Sequence, residues 1–169
     1  MLQLFLERVP SPVGEMILGT DGDGVLRVLD FDGYEARMQL LLQRQYGAKA
    51  FSLADAVKPS RAASVLGAYF EGDLQAIDRL KTANGGTAFQ RKVWAALRSI
   101  PARSTISYGA LAAWLGMPGA ARAVGLANGA NPIAIVVPCH RVIGSNGALT
   151  GYGGGIDRKR WLLAHEAGR

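Results

Sequence analysis

Apolar residues over the first thirty positions recur with a period near two. Leu2, Leu4 and Leu6 alternate with Gln3, Phe5 and Glu7, the signature of a half-buried strand. Ser11-Pro12-Val13-Gly14 interrupts the run and Glu15-Met16-Ile17-Leu18-Gly19 resumes it. Asp21-Gly22-Asp23-Gly24 then supplies glycines for the positive φ of a hairpin turn, and Val25-Leu26-Arg27-Val28-Leu29 follows as a third strand. A small antiparallel sheet is predicted. From residue 34 the spacing becomes helical. Tyr34, Met38, Leu41 and Leu42 share one face over 34–46, and Val65, Leu66, Tyr69 and Phe70 face inward over 60–71. Lys81-Thr82-Ala83-Asn84-Gly85-Gly86 is polar and flexible. It places a boundary between a first lobe, 1–83, and a second, 84–169.

The second lobe opens with Thr87-Ala88-Phe89-Gln90, which fits a capping box. Phe89, Val93, Trp94 and Leu97 give the helix behind it an apolar face, and Pro101 stops it. Ser107 caps a short helix through Leu115, Gly116-Met117 turns, and Pro118 suits the first position of another helix. A helix, a short glycine-containing turn and a second helix match helix-turn-helix spacing, a pattern also common to many helical proteins. The second helix reads Gly119-Ala120-Ala121-Arg122-Ala123-Val124-Gly125-Leu126-Ala127. A helix that reads bases in the major groove needs outward Arg, Asn or Gln side chains, and this row is mostly Ala and Gly with one Arg. Its small residues suit tight packing against another helix, or close entry into a DNA groove with Arg122 as the one projecting group.

Charge sharpens the division between lobes. The 169 residues carry a net charge of +6. The first lobe holds 9 basic and 11 acidic side chains, the second 10 basic and 2 acidic, Asp157 and Glu166. That asymmetry fits either a solvated basic surface or a second lobe that sits on a polyanion. No apolar run is long enough to span a membrane, and the N-terminus lacks the order of a signal peptide, so a cytoplasmic location is expected. The single cysteine, Cys139, excludes an internal disulfide. With only His140 and His165 beside it, no Cys/His zinc site is expected.

The candidate chemistry lies in Asn131-Pro132-Ile133-Ala134-Ile135-Val136-Val137-Pro138-Cys139-His140-Arg141-Val142-Ile143. Ile133 to Val137 reads as a buried segment that delivers Pro138-Cys139-His140-Arg141 to its end. A cysteine between a proline and a histidine, next to an arginine, lies in an electropositive setting that favours the nucleophilic thiolate. Three readings stand beside one another: a structural cysteine, the nucleophile of a Cys–His hydrolase, and an alkyl acceptor that needs no water to release its product.

Pro138-Cys139-His140-Arg141-Val142 resembles the signature of the methylated-DNA–protein-cysteine methyltransferases, the O6-alkylguanine-DNA alkyltransferases. Ser107-Tyr108-Gly109, the run from Pro118 to Gly125, Ala127-Asn128-Gly129-Ala130-Asn131-Pro132, Gly151-Tyr152-Gly153-Gly154-Gly155 and Trp161-Leu162-Leu163-Ala164-His165-Glu166 resemble further motifs in the same order. Ser11-Pro12-Val13-Gly14 resembles the family's first lobe. The resemblance spans nearly the whole chain and is strongest to the bacterial constitutive two-lobe form. It implies an α+β fold: a small N-terminal antiparallel sheet with helices, a ribonuclease-H-like lobe, followed by a mostly helical lobe with a helix-turn-helix.

The resemblance also implies roles. Cys139 would accept the alkyl group in a single irreversible event. His140 would act through water as its base, Glu166 would hold that histidine, and Asn131 would brace the turn beneath. Tyr108 would help extrude the nucleotide and donate to guanine N3. The carbonyls of Val142 and Cys139 would meet the guanine amine, and the Gly153 N–H would meet O6. Arg122 would fill the gap left by the flipped base, while Ala120, Ala121, Ala123 and Gly125 would enter the minor groove. The partner would be double-stranded DNA carrying O6-alkylguanine, and O4-alkylthymine as a second substrate. The protein would be a monomer, its first lobe either stabilising the second or mediating contacts between neighbours that bind DNA cooperatively, with no cofactor and no metal. Gly153 stands where some relatives carry serine, which implies a more mobile loop from Thr150 to Gly155. A lesion-binding relative lacking the cysteine, and a helix-turn-helix regulator, are the rival classes; Cys139 and its neighbours argue against both.

Overall fold

A computed structural model describes residues 1–169. The fold is α+β, and the chain divides into two units, Met1–Gly86 with Pro132–Val136 and Thr87–Asn131 with Val137–Arg169. No helix is long and apolar enough to cross a membrane.

The N-terminal unit is built on strands β1 (Leu2–Val9), β2 (Met16–Thr20), β3 (Leu26–Phe31) and β4 (Phe51–Asp55), in the order β3-β2-β1-β4. The first three are antiparallel, as their alternation and turn glycines predict. β4 was not legible and makes the sheet mixed, because it returns after helix α1 (Glu35–Tyr46) and pairs parallel to β1, Leu4 opposite Leu53. A helical crossover is the connection that parallel neighbours require. Leu4, Ile17, Val28, Met38 and Leu42 form one buried cluster, flanked by Leu2, Leu6 and Leu53. Period-two positions on the strands therefore meet the period-3.6 face of α1. Gly19 is required by close approach: a Cβ there would lie 2.3 Å from Val28 Cγ1. Helix α2 (Arg61–Phe70) is capped by Ser60, whose hydroxyl also bonds Glu7.

Pro132–Val136 adds to the free edge of β3. Leu29 N–H donates to the Pro132 carbonyl (3.0 Å) and Ala134 N–H to the Leu29 carbonyl (3.2 Å). The apolar run is buried as expected, though it turns rather than extends, and Ile135 carries φ = 69°. A β-branched residue avoids that conformation.

The C-terminal unit begins with α3 (Ala88–Arg98), where Thr87 and Gln90 form the predicted reciprocal capping box. Val93, Trp94 and Leu97 are its buried face, and Trp94 Nε1 donates to the Ala127 carbonyl at 2.8 Å. Short strands β5 (Ile106–Ser107) and β6 (Val142–Ile143) pair in parallel. Helix α4 (Tyr108–Trp114), capped by Ser107, leads through a turn to α5 (Ala121–Gly129). That second helix starts later than predicted. Pro118 and Gly119 belong to the turn, since Gly119 has φ = 89° and cannot lie in a helix, and Ala120 N–H bonds back to Met117. Helix α6 (Ile156–Glu166) closes the unit.

Candidate active site

β6 begins immediately after a 3-10 turn formed by Cys139–Arg141, and β5 runs directly into Tyr108. The two-stranded pair thus brings the cysteine segment and the start of α4 together. Cys139 is 7% exposed, and its backbone is tightly folded: its N–H bonds the Val137 carbonyl at 2.7 Å, and Arg141 N–H bonds Pro138 at 3.0 Å. Two asparagines, Asn128 in the last turn of α5 and Asn131 just beyond it, brace this turn. Asn131 Nδ2 donates to the Val137 carbonyl (2.8 Å) and Asn128 Nδ2 to the Cys139 carbonyl (3.3 Å).

His140 is fully buried and lies with Nε2 2.8 Å from Glu166 Oε2. Arg141 meets the same carboxylate twice, Nε to Oε1 at 2.8 Å and Nη2 to Oε2 at 2.9 Å, and its Nη1 donates to the Ile100 carbonyl. Burial alone would raise the Glu166 carboxyl, but hydrogen bonds from His140 and Arg141 outweigh it and hold it far below the usual carboxylate range. Glu166 is therefore an anion. It ends α6, where the helix dipole disfavours negative charge; the two cationic or donating partners offset that penalty. Burial pushes His140 below its ordinary value against the pull of Glu166. A neutral ring facing a carboxylate carries its proton on Nε2, which leaves Nδ1 as an acceptor. No group of the chain donates to Nδ1.

A second cation joins Arg141 near the cysteine segment. Arg141 points into Glu166, whereas Lys159, one of three successive basic residues, is fully buried. Its Nζ donates to the carbonyls of Val142 (2.6 Å), Thr150 (3.3 Å) and Gly151 (3.3 Å). Burial lowers its ordinary value, and a negative charge on Cys139 would work in the opposite direction. Lys159 was missed because Arg158-Lys159-Arg160 reads as a solvated run. The signal was its spacing: positions 159, 162 and 166 share one face of α6, and all three are buried.

Tyr108 directs its hydroxyl to the Thr150 carbonyl (3.1 Å), and its ring lies 6.0 Å from Lys159 Nζ. A Cβ at Gly125 would approach that ring to 3.7 Å, so α5 passes close to it. Val142 is buried, and Gly153 is exposed in a turn of the Thr150–Gly155 loop. Cys139, His140, Glu166, Asn131, Val142 and Tyr108 are thus drawn into one region. Arg122 and Ala123 lie apart from it on the exposed face of α5, with Ala120, Ala121 and Gly125 half-buried. Leu126, 73% exposed, continues that face one turn on; the sequence reading passed over it. No cluster of three or more His, Cys, Asp or Glu is placed to hold a metal ion.

A cysteine set against a buried histidine–carboxylate pair, in a unit that also presents a helix-turn-helix, defines a class of protein with a single nucleophile beside a surface suited to DNA. Residues 88–168 match the family model described as 6-O-methylguanine DNA methyltransferase, DNA binding domain. The chain is 52% identical over 166 residues to the methylated-DNA–protein-cysteine methyltransferase of Salmonella typhimurium, covering 98% of this chain and 97% of that one. It is 46% identical to that of Mycobacterium tuberculosis H37Rv over 161 residues, covering 95% and 91%. The crystal structure of the Mycobacterium tuberculosis O6-methylguanine methyltransferase superposes with a TM-score of 0.78 at 42% identity, covering 98% of this chain and 94% of that one. A structure of the Mycobacterium tuberculosis OGT in complex with DNA gives 0.76 at 41%, covering 98% and 93%. The chain belongs to the methylated-DNA–protein-cysteine methyltransferase family.

Proposed function

We propose that this protein repairs double-stranded DNA by transferring the alkyl group of O6-alkylguanine, and of O4-alkylthymine, irreversibly to Cys139. The observation that carries this reading is the buried cysteine beside a histidine whose Nε2 is committed to Glu166 and whose Nδ1 is left to accept.

The thiol proton passes through a water molecule to His140 Nδ1, and Glu166 steadies the imidazolium that forms. The Cys139 sulfur attacks the alkyl carbon. The new S–C bond forms as the C–O6 bond breaks, and its electron pair stays on the purine. Tyr108 donates to guanine N3 as that charge develops, and the proton released from the thiol finally resides on guanine. The thioether is stable, so each molecule acts once.

The target base leaves the stack to reach a buried thiol. Arg122, exposed on α5, fills the gap, and the small residues Ala120, Ala121, Ala123 and Gly125 let the helix approach the minor groove. The carbonyls of Cys139 and Val142 take the guanine amine, the Gly153 N–H takes O6, and Asn131 keeps the cysteine turn in shape. The basic second lobe, 84–169, forms the DNA-binding and acceptor domain. The first lobe, 1–83, is structural and mediates contacts between monomers that bind DNA cooperatively in the cytoplasm. The alkyl donor is the lesion itself, so the chemistry calls for no cofactor.

Intact and peptide mass after incubation with a duplex carrying one O6-methylguanine tests the reading. One methyl group per protein on Cys139, lost in Cys139→Ala, is expected. Tight lesion binding without a mass gain would make the protein a damage sensor instead.

A further inference from the structure

Helix α5 turns Val124, Ala127 and Asn128 inward and leaves Arg122, Ala123, Leu126 and Gly129 exposed along one stripe. A surface helix ordinarily carries polar groups on its outer face. Here the outer stripe holds one cation and one large apolar side chain. Leu126 is 73% exposed, more than any other large hydrophobic residue of the C-terminal unit.

Single exposed leucines are common on protein surfaces and by themselves signify nothing. Leu126 is distinguished by its neighbour. It lies four residues after Arg122, and side chains at that spacing stand beside one another on a helix. The rise between them is about 6 Å, under two steps of a duplex whose base pairs are about 3.4 Å apart. With Arg122 in the gap left by an extruded base, Leu126 meets the groove within two steps of that gap. An apolar side chain cannot serve a phosphate. The walls of the minor groove beneath the phosphates are deoxyribose C–H groups, and proteins that open this groove use leucine and similar residues there as wedges. Attraction to the phosphates themselves comes from the surrounding charge, since residues 84–169 carry 10 basic and 2 acidic side chains.

We propose that Leu126 is a positioning residue that packs against the deoxyribose wall of the minor groove beside the vacated position, and that this apolar contact, together with Arg122, holds the alkylated nucleotide out of the stack. This rests on the reading that α5 enters the minor groove.

The test is single-turnover transfer to Cys139 from an O6-methylguanine duplex and from free O6-benzylguanine. In Leu126→Ala the duplex rate, measured below saturation, falls about tenfold, the scale of one leucine side chain taken out of water, and the free-base rate is unchanged. Duplex affinity keeps its slope against salt, because no phosphate contact is lost. Leu126→Met, of similar volume and polarity, keeps the wild-type duplex rate. An unchanged duplex rate in Leu126→Ala overturns the inference, as does an equal loss on both substrates, a shallower salt slope, or a loss in Leu126→Met as large as in Leu126→Ala. Where Arg122→Ala loses duplex transfer and Leu126→Ala does not, the part played by Leu126 alone fails; where neither variant loses it, the placement of α5 in the groove fails as well.

Discussion

His140 Nε2 and Glu166 Oε2 stand 2.8 Å apart in a fully enclosed pocket, and Arg141 closes on the other edge of the same carboxylate. One anion therefore fixes the tautomer of the histidine and neutralises the arginine. Glu166→Gln removes both functions. It leaves a buried guanidinium without its counter-charge, a change that costs about 3–5 kcal/mol, to be read from urea unfolding. Alkyl transfer to Cys139 slows by ~100-fold, the range of a lost acid–base contribution, as single-turnover assays of the folded fraction would show. A variant of wild-type rate would remove the histidine–carboxylate pair from the mechanism.

Lys159 is a buried cation that is electrostatically coupled to Cys139. Lys159→Met keeps the length of the side chain and removes the charge. The pH at which iodoacetamide capture of Cys139 becomes half-maximal should rise by about one, a tenfold slower reaction near neutrality. Lys159→Arg should hold the midpoint. An unmoved profile in a folded Lys159→Met protein would assign the buried lysine to anchoring the Val142, Thr150 and Gly151 carbonyls alone.

Acid destabilises this protein in two stages. His140 is depressed below its ordinary 6.5 by burial, and Glu166 is held below its ordinary 4.5 by its hydrogen bonds. In both cases the unfolded chain binds a proton that the folded state resists, so stability rises with pH. The histidine contribution is complete above the unfolded value and begins to fall as pH drops through ~6.5; the carboxylate contribution falls below ~4.5. Melting temperature across pH 3–8 should show both steps, and His140→Gln should abolish the upper one.

Arg122 is exposed on α5, apart from the buried cluster. Arg122→Ala should lower transfer from an O6-methylguanine duplex by at least ~10-fold, since unstacking a base costs a few kcal/mol. It should leave transfer from free O6-benzylguanine unchanged. Equal losses on both substrates would place the effect in the active site and count against a role in base extrusion.

Much of this was legible before any coordinates. The alternation of Leu2, Leu4 and Leu6, the Thr87–Gln90 capping box and the Ser107 cap are local signals, and each element formed where they indicated. β4 was not legible: Phe51–Asp55 is short, and its pairing with β1 is set by a partner almost fifty residues away. The start of α5 was misplaced for a local reason as well. Proline suits both a first helical turn and a tight turn, and only the positive φ of Gly119 separates the two.

By itself the sequence determined the charge asymmetry and the motif that carries Cys139, because composition and short motifs are properties of neighbours in the chain. The tertiary structure alone decided which charges meet. Arg141, two residues from Cys139 in sequence, is directed into Glu166, and Lys159, twenty residues beyond Cys139, is buried with its Nζ on the Val142 carbonyl. A buried ion finds its partner by proximity in space, since desolvation forces pairing with whatever the fold brings within reach, and that proximity cannot be read along a line.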